Sequence, residues 1–132
     1  MKITADTNVL IRAAVEDEPY QARLAAKVLE AADLVAVPIA VLCEVVWVLR
    51  RGYKKSHSDV FNAIHKLMKS ANVIMNRPAT EAGLAALSAG GDFADGVIAY
   101  DGDWLGAEEF VSFDSKAVSV LRSQGTRARL LQ

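Results

Sequence analysis

Lys2-Ile3-Thr4-Ala5-Asp6-Thr7-Asn8-Val9-Leu10-Ile11 opens the chain, and its pattern organises everything after it. A short β-prone run reaches a carboxylate, two residues with helix-capping side chains follow, and an apolar segment begins. That order is a strand feeding a helix, with Asp6 at the strand's carboxyl end. In open α/β sheets, ligands bind at that end. One Asp there is a weak signal, and the rest of the chain has to supply its company.

Outward from this opening, short apolar runs alternate with helical patterns. Residues 9–16 read as a helix stopped near Pro19, and 20–32 as a second helix. Residues 34–37 suit a buried strand, and Pro38 opens a helix that reaches about Arg51 and ends at Gly52. Ser56, Ser58 or Asp59 caps a further helix to about Ser70. Residues 72–75 are strand-like, 78–88 helical, and 92–104 helical again after Gly90-Gly91. A strand over 110–113, a helix over 115–122 and a last strand over 126–131 complete the pattern. Strands alternating with helices predict an α/β fold, a central parallel β-sheet flanked by α-helices, as one domain over residues 1–132.

Bulk composition agrees with a folded domain. The 132 residues are 52 % hydrophobic and 23 % charged, which excludes disorder. Every apolar run is interrupted before membrane-spanning length, so no membrane association is expected. No secretion signal is visible, and a single cysteine is compatible with a reducing, cytoplasmic location. The net charge of −1 gives no global attraction to nucleic acid. Charge is unevenly spread, however. Residues 92–114 hold seven acids and no Lys or Arg, whereas Arg50, Arg51, Lys54, Lys55, Lys66 and Lys69 are opposed only by Asp59. Solvated helix faces of opposite sign account for this equally well.

Four places hold acids that need explaining. Glu44 is the one charge in Ile39-Ala40-Val41-Leu42-Cys43-Glu44-Val45-Val46-Trp47-Val48-Leu49. Its helical neighbours are Ala40, Val41, Trp47 and Val48, and a helix apolar all round is expected to be buried. A buried Glu is rare unless paired or metal-bound; the plainer alternatives are snorkelling at a helix edge or pairing with Arg51. Asp92 and Asp95 lie three apart on the first turn of a helix. Asp92 fits an N-cap with Asp95 reaching back to it, and the helix's positive end favours both ionised forms. Asp95, beside Ile98 and Ala99, is expected to be the more buried and ranks above Asp92. Asp114 repeats the device of Asp6: Val111-Ser112-Phe113-Asp114-Ser115 parallels Ile3-Thr4-Ala5-Asp6-Thr7. Ser112 shares a strand face with Asp114, as Thr4 does with Asp6.

If these acids converge, a cation is required. Two carboxylates about 4 Å apart repel by roughly 4 kcal/mol at an effective dielectric near 20. Four stay ionised together only with a metal, and all-oxygen ligands select Mg²⁺ or Mn²⁺. Such a site suits hydrolysis of phosphate esters. No Ser–His or Cys–His pair competes: Cys43 reads as core, and His57 and His65 as surface.

Taken together, Asp6-Thr7-Asn8-Val9-Leu10, Glu44-Val45-Val46-Trp47-Val48-Leu49-Arg50-Arg51, Gly91-Asp92-Phe93-Ala94-Asp95 and Ser112-Phe113-Asp114 resemble a PIN domain, specifically the VapC toxin family of toxin–antitoxin ribonucleases. The resemblance implies that Asp6, Glu44, Asp95 and Asp114 are the core ligands of one or two Mg²⁺ or Mn²⁺ ions, with Asp92 auxiliary. It implies Thr7, Asn8 and Ser112 as donors that orient the carboxylates. It further implies RNA cleavage, often at one site in a structured RNA such as tRNA, a VapB-type antitoxin and a homodimer. The positive mean hydropathy is compatible with apolar surface covered by such a partner. Arg50, Arg51, Lys54, Lys55 and Arg122 then become candidates for tracking RNA phosphates.

Three other readings compete. A haloacid-dehalogenase-like phosphatase also begins with a strand-end Asp, but needs a second Asp where Asn8 stands. A receiver-like phospho-acceptor module wants an acid pair after the first strand, and Thr7 and Asn8 follow Asp6 instead. A PIN-like module that binds RNA or a partner without cutting usually lacks some of the acids, and here all are present.

Overall fold

Parallel pairing of very short strands organises each half of the chain. The computed structural model describes residues Met1–Gln132 and falls into two compact units, Met1–Asn76 and Arg77–Gln132.

In the first unit, strands β1 (Lys2–Thr4), β2 (Leu34–Ala36) and β3 (Val73–Ile74) form a parallel sheet with β2 in the middle. Lys2 lies opposite Leu34, Thr4 opposite Ala36, and Val35 opposite Val73. Helices α1 (Thr7–Val15), α2 (Pro19–Ala31), α3 (Ile39–Trp47) and α4 (His57–Lys69) complete the unit. Their starts follow local chemistry. The Asp6 carboxylate caps α1, Pro19 takes the first position of α2, Pro38 precedes α3, and Ser56 Oγ accepts from the Asp59 N–H at 3.0 Å to cap α4.

The third helix is not the continuous one expected to Arg51. The α-helical ladder stops at Trp47, and Val48–Gly52 winds as a π-helical turn. Contacts distant from the ladder hold that wider turn. The Arg50 guanidinium donates to the Lys55 carbonyl at 2.7 Å, the Lys55 N–H donates to the Leu49 carbonyl, and Lys54 adopts a left-handed φ of 56°. Tyr53, just beyond, joins a polar network unforeseen in the sequence. Arg12 donates to Gln21 at 2.7 Å and to both Asp17 and the Tyr53 hydroxyl at 3.3 Å, and Tyr53 donates to Asp17 at 3.1 Å. The network fixes the corner between α1 and α2 against the end of the π turn.

In the second unit, α5 (Arg77–Ser88) and α6 (Phe93–Trp104) precede β4 (Phe110–Ser112), α7 (Ser115–Ser123) and β5 (Ala128–Leu130). Strands β4 and β5 pair in parallel, Phe110 opposite Ala128 and Ser112 opposite Leu130. Val118, Leu121 and Ala128 are buried together, with Ala99, Phe110 and Leu130 packed against them. Helices α5 and α6 approach closely because glycines line the crossing. A Cβ on Gly96 would lie 2.3 Å from the Ala82 carbonyl oxygen, and one on Gly83 would lie 2.6 Å from the Phe93 ring. No helix is long and apolar enough to cross a membrane.

Candidate functional site

Two of the candidate acids stand in the first unit. Asp6 follows β1 in extended backbone, and its Oδ1 accepts from the Thr7 N–H at 2.8 Å. The Thr7 hydroxyl in turn donates to Glu44 Oε2 at 2.9 Å. One residue thus holds both carboxylates, by its backbone and by its side chain. Asn8 is exposed on the same first turn of α1.

Glu44 itself is exposed, contrary to the burial expected for it. Helix α3 buries one face only, through Leu42, Val45 and Val46, with Leu49 continuing it. Ala40, Glu44 and Trp47 form an exposed stripe at helical spacing. Apolar neighbours do not bury a charge when the side they share stays open. Glu44 therefore needs no buried counter-charge, and Thr7 provides its orientation. Replacing Thr7 by Val removes that donor while keeping shape and the N–H to Asp6. The expected result is a 10- to 100-fold loss of Mn²⁺ affinity by calorimetric titration, roughly the effect of an outer-shell partner, with Thr7→Ser retaining it.

The other three acids stand in the second unit. Asp92 precedes α6, but its side chain makes no capping bond, so the expected capping box with Asp95 does not form. Only backbone joins them there, the Asp95 N–H donating to the Asp92 carbonyl at 3.2 Å. Asp95, on the first turn, is half-buried and Asp92 exposed, the order expected, although Ile98 beside Asp95 is itself exposed. Burial pushes its carboxyl above the ordinary carboxylate value, and the charges of Asp92 and Asp114 push it further. Asp114 caps α7, its Oδ1 accepting from Lys116 and Ala117 N–H groups at 3.0 and 3.1 Å. The Ser112 hydroxyl accepts from the Asp114 N–H at 2.9 Å and so steadies the backbone that carries the Asp114 carboxylate, which leaves its O–H free to donate.

Within neither unit do three such side chains already gather into a closed cage for a metal. The donor chemistry nevertheless fits a hard divalent cation. All the candidates offer carboxylate oxygens, and Asp95 is raised by burial and by like charges that a cation offsets.

The basic residues divide by what already occupies them. Arg50 donates to the Lys55 carbonyl, and Arg122 Nε donates to the Ala128 carbonyl at 2.9 Å, tying the end of α7 to β5. Arg51 and Lys54 are exposed, and Lys55 is half-buried. A cleft of about 600 Å³ in the second unit includes none of the candidate acids. Asp103, Glu108 and Glu109 on its wall belong to the acidic segment, which repels a phosphate backbone.

The PIN domain family model matches residues 3–117. The chain belongs to the PIN domain family. The matched span contains Asp6, Glu44, Asp92, Asp95 and Asp114, and PIN domains are in general metal-dependent nucleases. No individual curated protein matched the chain. Sequence reasoning passed over Gly96, whose missing side chain lets α6 approach α5 beside Asp95. A glycine inside a helical pattern was the available signal.

Proposed function

We propose that this PIN domain is an endoribonuclease of the VapC toxin type, hydrolysing RNA phosphodiesters, with tRNA or another structured RNA as substrate. The observation that carries the reading is Asp95. It stands on the first turn of α6 inside the span matched by the PIN family, which also holds Asp6, Glu44, Asp92 and Asp114, and burial together with the charges of Asp92 and Asp114 raises its carboxyl in a way that a cation would offset. Asp6 and Glu44, joined through Thr7, are the candidate ligands of the first unit.

In this reading Asp6, Glu44, Asp95 and Asp114 hold Mg²⁺ or Mn²⁺, with Asp92 auxiliary, all within one PIN domain over residues 1–132. A divalent cation there lowers the pKa of water and offsets charge on the phosphodiester. The chain's own residues orient the ligands: Thr7 sets Glu44, its N–H sets Asp6, and the start of α7 sets Asp114. A VapB-type antitoxin, a homodimer and a cytoplasmic setting belong to the same proposal.

The test mixes the partner-free protein with total bacterial tRNA under Mg²⁺, Mn²⁺ or EDTA, beside Asp6→Asn and Asp95→Asn. Discrete fragments that depend on metal and vanish in both variants support the nuclease and its ligands. Equal cleavage by the variants means contamination. RNA binding without metal-dependent cleavage indicates a silent PIN-like module.

Exposed cations provide a second measurable property. Arg51→Ala and Lys54→Ala should each flatten the slope of log affinity against log salt by about 0.7, the value for one phosphate on a single strand. Arg50→Ala and Arg122→Ala should instead lower the urea midpoint, because each strips a donor from a backbone carbonyl. An unchanged slope for Arg51 and Lys54 identifies them as ordinary solvated charges.

A further inference from the structure

Trp47 is 61 % exposed, which is unusual for a side chain with so much apolar area to bury. It lies one helical turn after Glu44 on the open stripe of α3, with the small Ala40 on the other side of Glu44. Side chains three apart on a helix have Cβ atoms about 5–6 Å from one another. The π-helical turn begins directly after Trp47, and beyond it Arg51 and Lys54 are exposed while Arg50 is diverted to the Lys55 carbonyl. Along the chain an oriented carboxylate, an open indole and two exposed cations therefore follow one another.

That order matches the needs of a single strand of RNA. Sequence-tolerant single-strand binding combines cations that follow the phosphates with aromatic faces on which bases stack. We infer that Trp47 is a stacking platform for a nucleobase beside Glu44, with Arg51 and Lys54 holding the adjoining phosphates. Trp47 is thereby a positioning residue for the strand to be cut, and the inference rests on the ribonuclease reading. The other tryptophan is unsuited to the task. Trp104 donates its indole N–H to the Tyr100 hydroxyl at 2.5 Å and stands among Asp101, Asp103 and Glu108, which repel phosphate. The exposed charges that follow Trp47 in the chain are instead the cations Arg51 and Lys54.

The experiment uses the full chain with Trp104→Phe, so that Trp47 is the sole indole, and Asp95→Asn to keep the RNA whole. Titration with a short single-stranded RNA should quench Trp47 emission saturably, and the same sequence as a duplex should quench it little. Trp47→Ala should weaken RNA binding about 5- to 150-fold, the effect of losing one base–aromatic stack, and Trp47→Phe should recover much of it. In the otherwise unaltered chain, Trp47→Ala should raise KM for cleavage far more than it lowers kcat. Parental RNA affinity and KM in Trp47→Ala overturn the inference, while loss of cutting in the acid variants leaves the ribonuclease reading standing. A parental affinity together with a changed oligomeric state assigns Trp47 to a protein interface and also overturns it. If the parent chain cuts no RNA under Mg²⁺ or Mn²⁺, the ribonuclease reading itself fails.

Discussion

Asp95→Asn should lower metal-dependent RNA cleavage by more than about a hundredfold, since even outer-shell partners of a metal contribute 10- to 100-fold. The same variant should lose no stability without metal. Burial and the charges of Asp92 and Asp114 raise the Asp95 carboxyl above its ordinary value of 3.8. The folded state therefore takes up a proton more readily than the unfolded chain does. The stability contributed by that proton is fully present below the ordinary value and is lost as pH rises through the folded value. Acidification from neutral pH should thus strengthen the metal-free parent through Asp95, and Asp95→Asn should lack that part of the pH dependence. Urea midpoints across pH 4 to 7, at roughly the spacing of ordinary carboxyl titrations, measure it directly. Manganese reverses the relation. At 100 times its dissociation constant a bound ion stabilises the fold by about 2.7 kcal/mol, and the variant should lose most of that gain. An equal Mn²⁺ shift in parent and variant would remove Asp95 from the ligand set.

The second large effect comes from Gly96→Ala, a change of one methyl group. Its new Cβ would lie 2.3 Å from the Ala82 carbonyl oxygen and 2.9 Å from both the Ala82 carbonyl carbon and the Ala86 Cβ. The nearest obstacle is backbone, so rotamer changes give no relief and α6 must move from α5. Overpacking of this kind costs about 1–3 kcal/mol, against which alanine's better helix propensity returns up to about 1 kcal/mol. Because Asp95 adjoins Gly96, cleavage and Mn²⁺ binding should fall together with stability. Gly102, in the same helix, is the control. A Cβ there meets only Ala107 Cβ, at 4.0 Å, so Gly102→Ala should be neutral or stabilising by up to about 1 kcal/mol. If both variants melt alike, the close approach at Gly96 does not limit the position of α6.

Much of this protein is legible locally. Asp6, Ser56 and Asp114 cap helices, and Pro19 and Pro38 stand at helix starts, because capping depends on residues a few places apart. The repeated strand–Asp–helix device at Asp6 and Asp114 is visible for the same reason. The PIN family match spans both of these Asp residues. Other properties depend on partners distant in sequence. The Thr7 hydroxyl meets Glu44 thirty-seven residues away, and Arg50 diverts to a carbonyl across the π turn. Glu44 looked buried because its neighbours are apolar, yet its exposure depends on which faces of α3 other elements cover.

The alternating strands and helices, the helix starts, and the acids at strand and helix ends can be read from the residues alone. These are set by short-range sterics, hydrogen bonding and side-chain period. The outward faces of Glu44 and Trp47, the uncapped helix after Asp92, and the close approach of α5 at Gly96 beside Asp95 emerge from packing. Burial and close approach are relations between segments, and no local pattern specifies which surfaces meet.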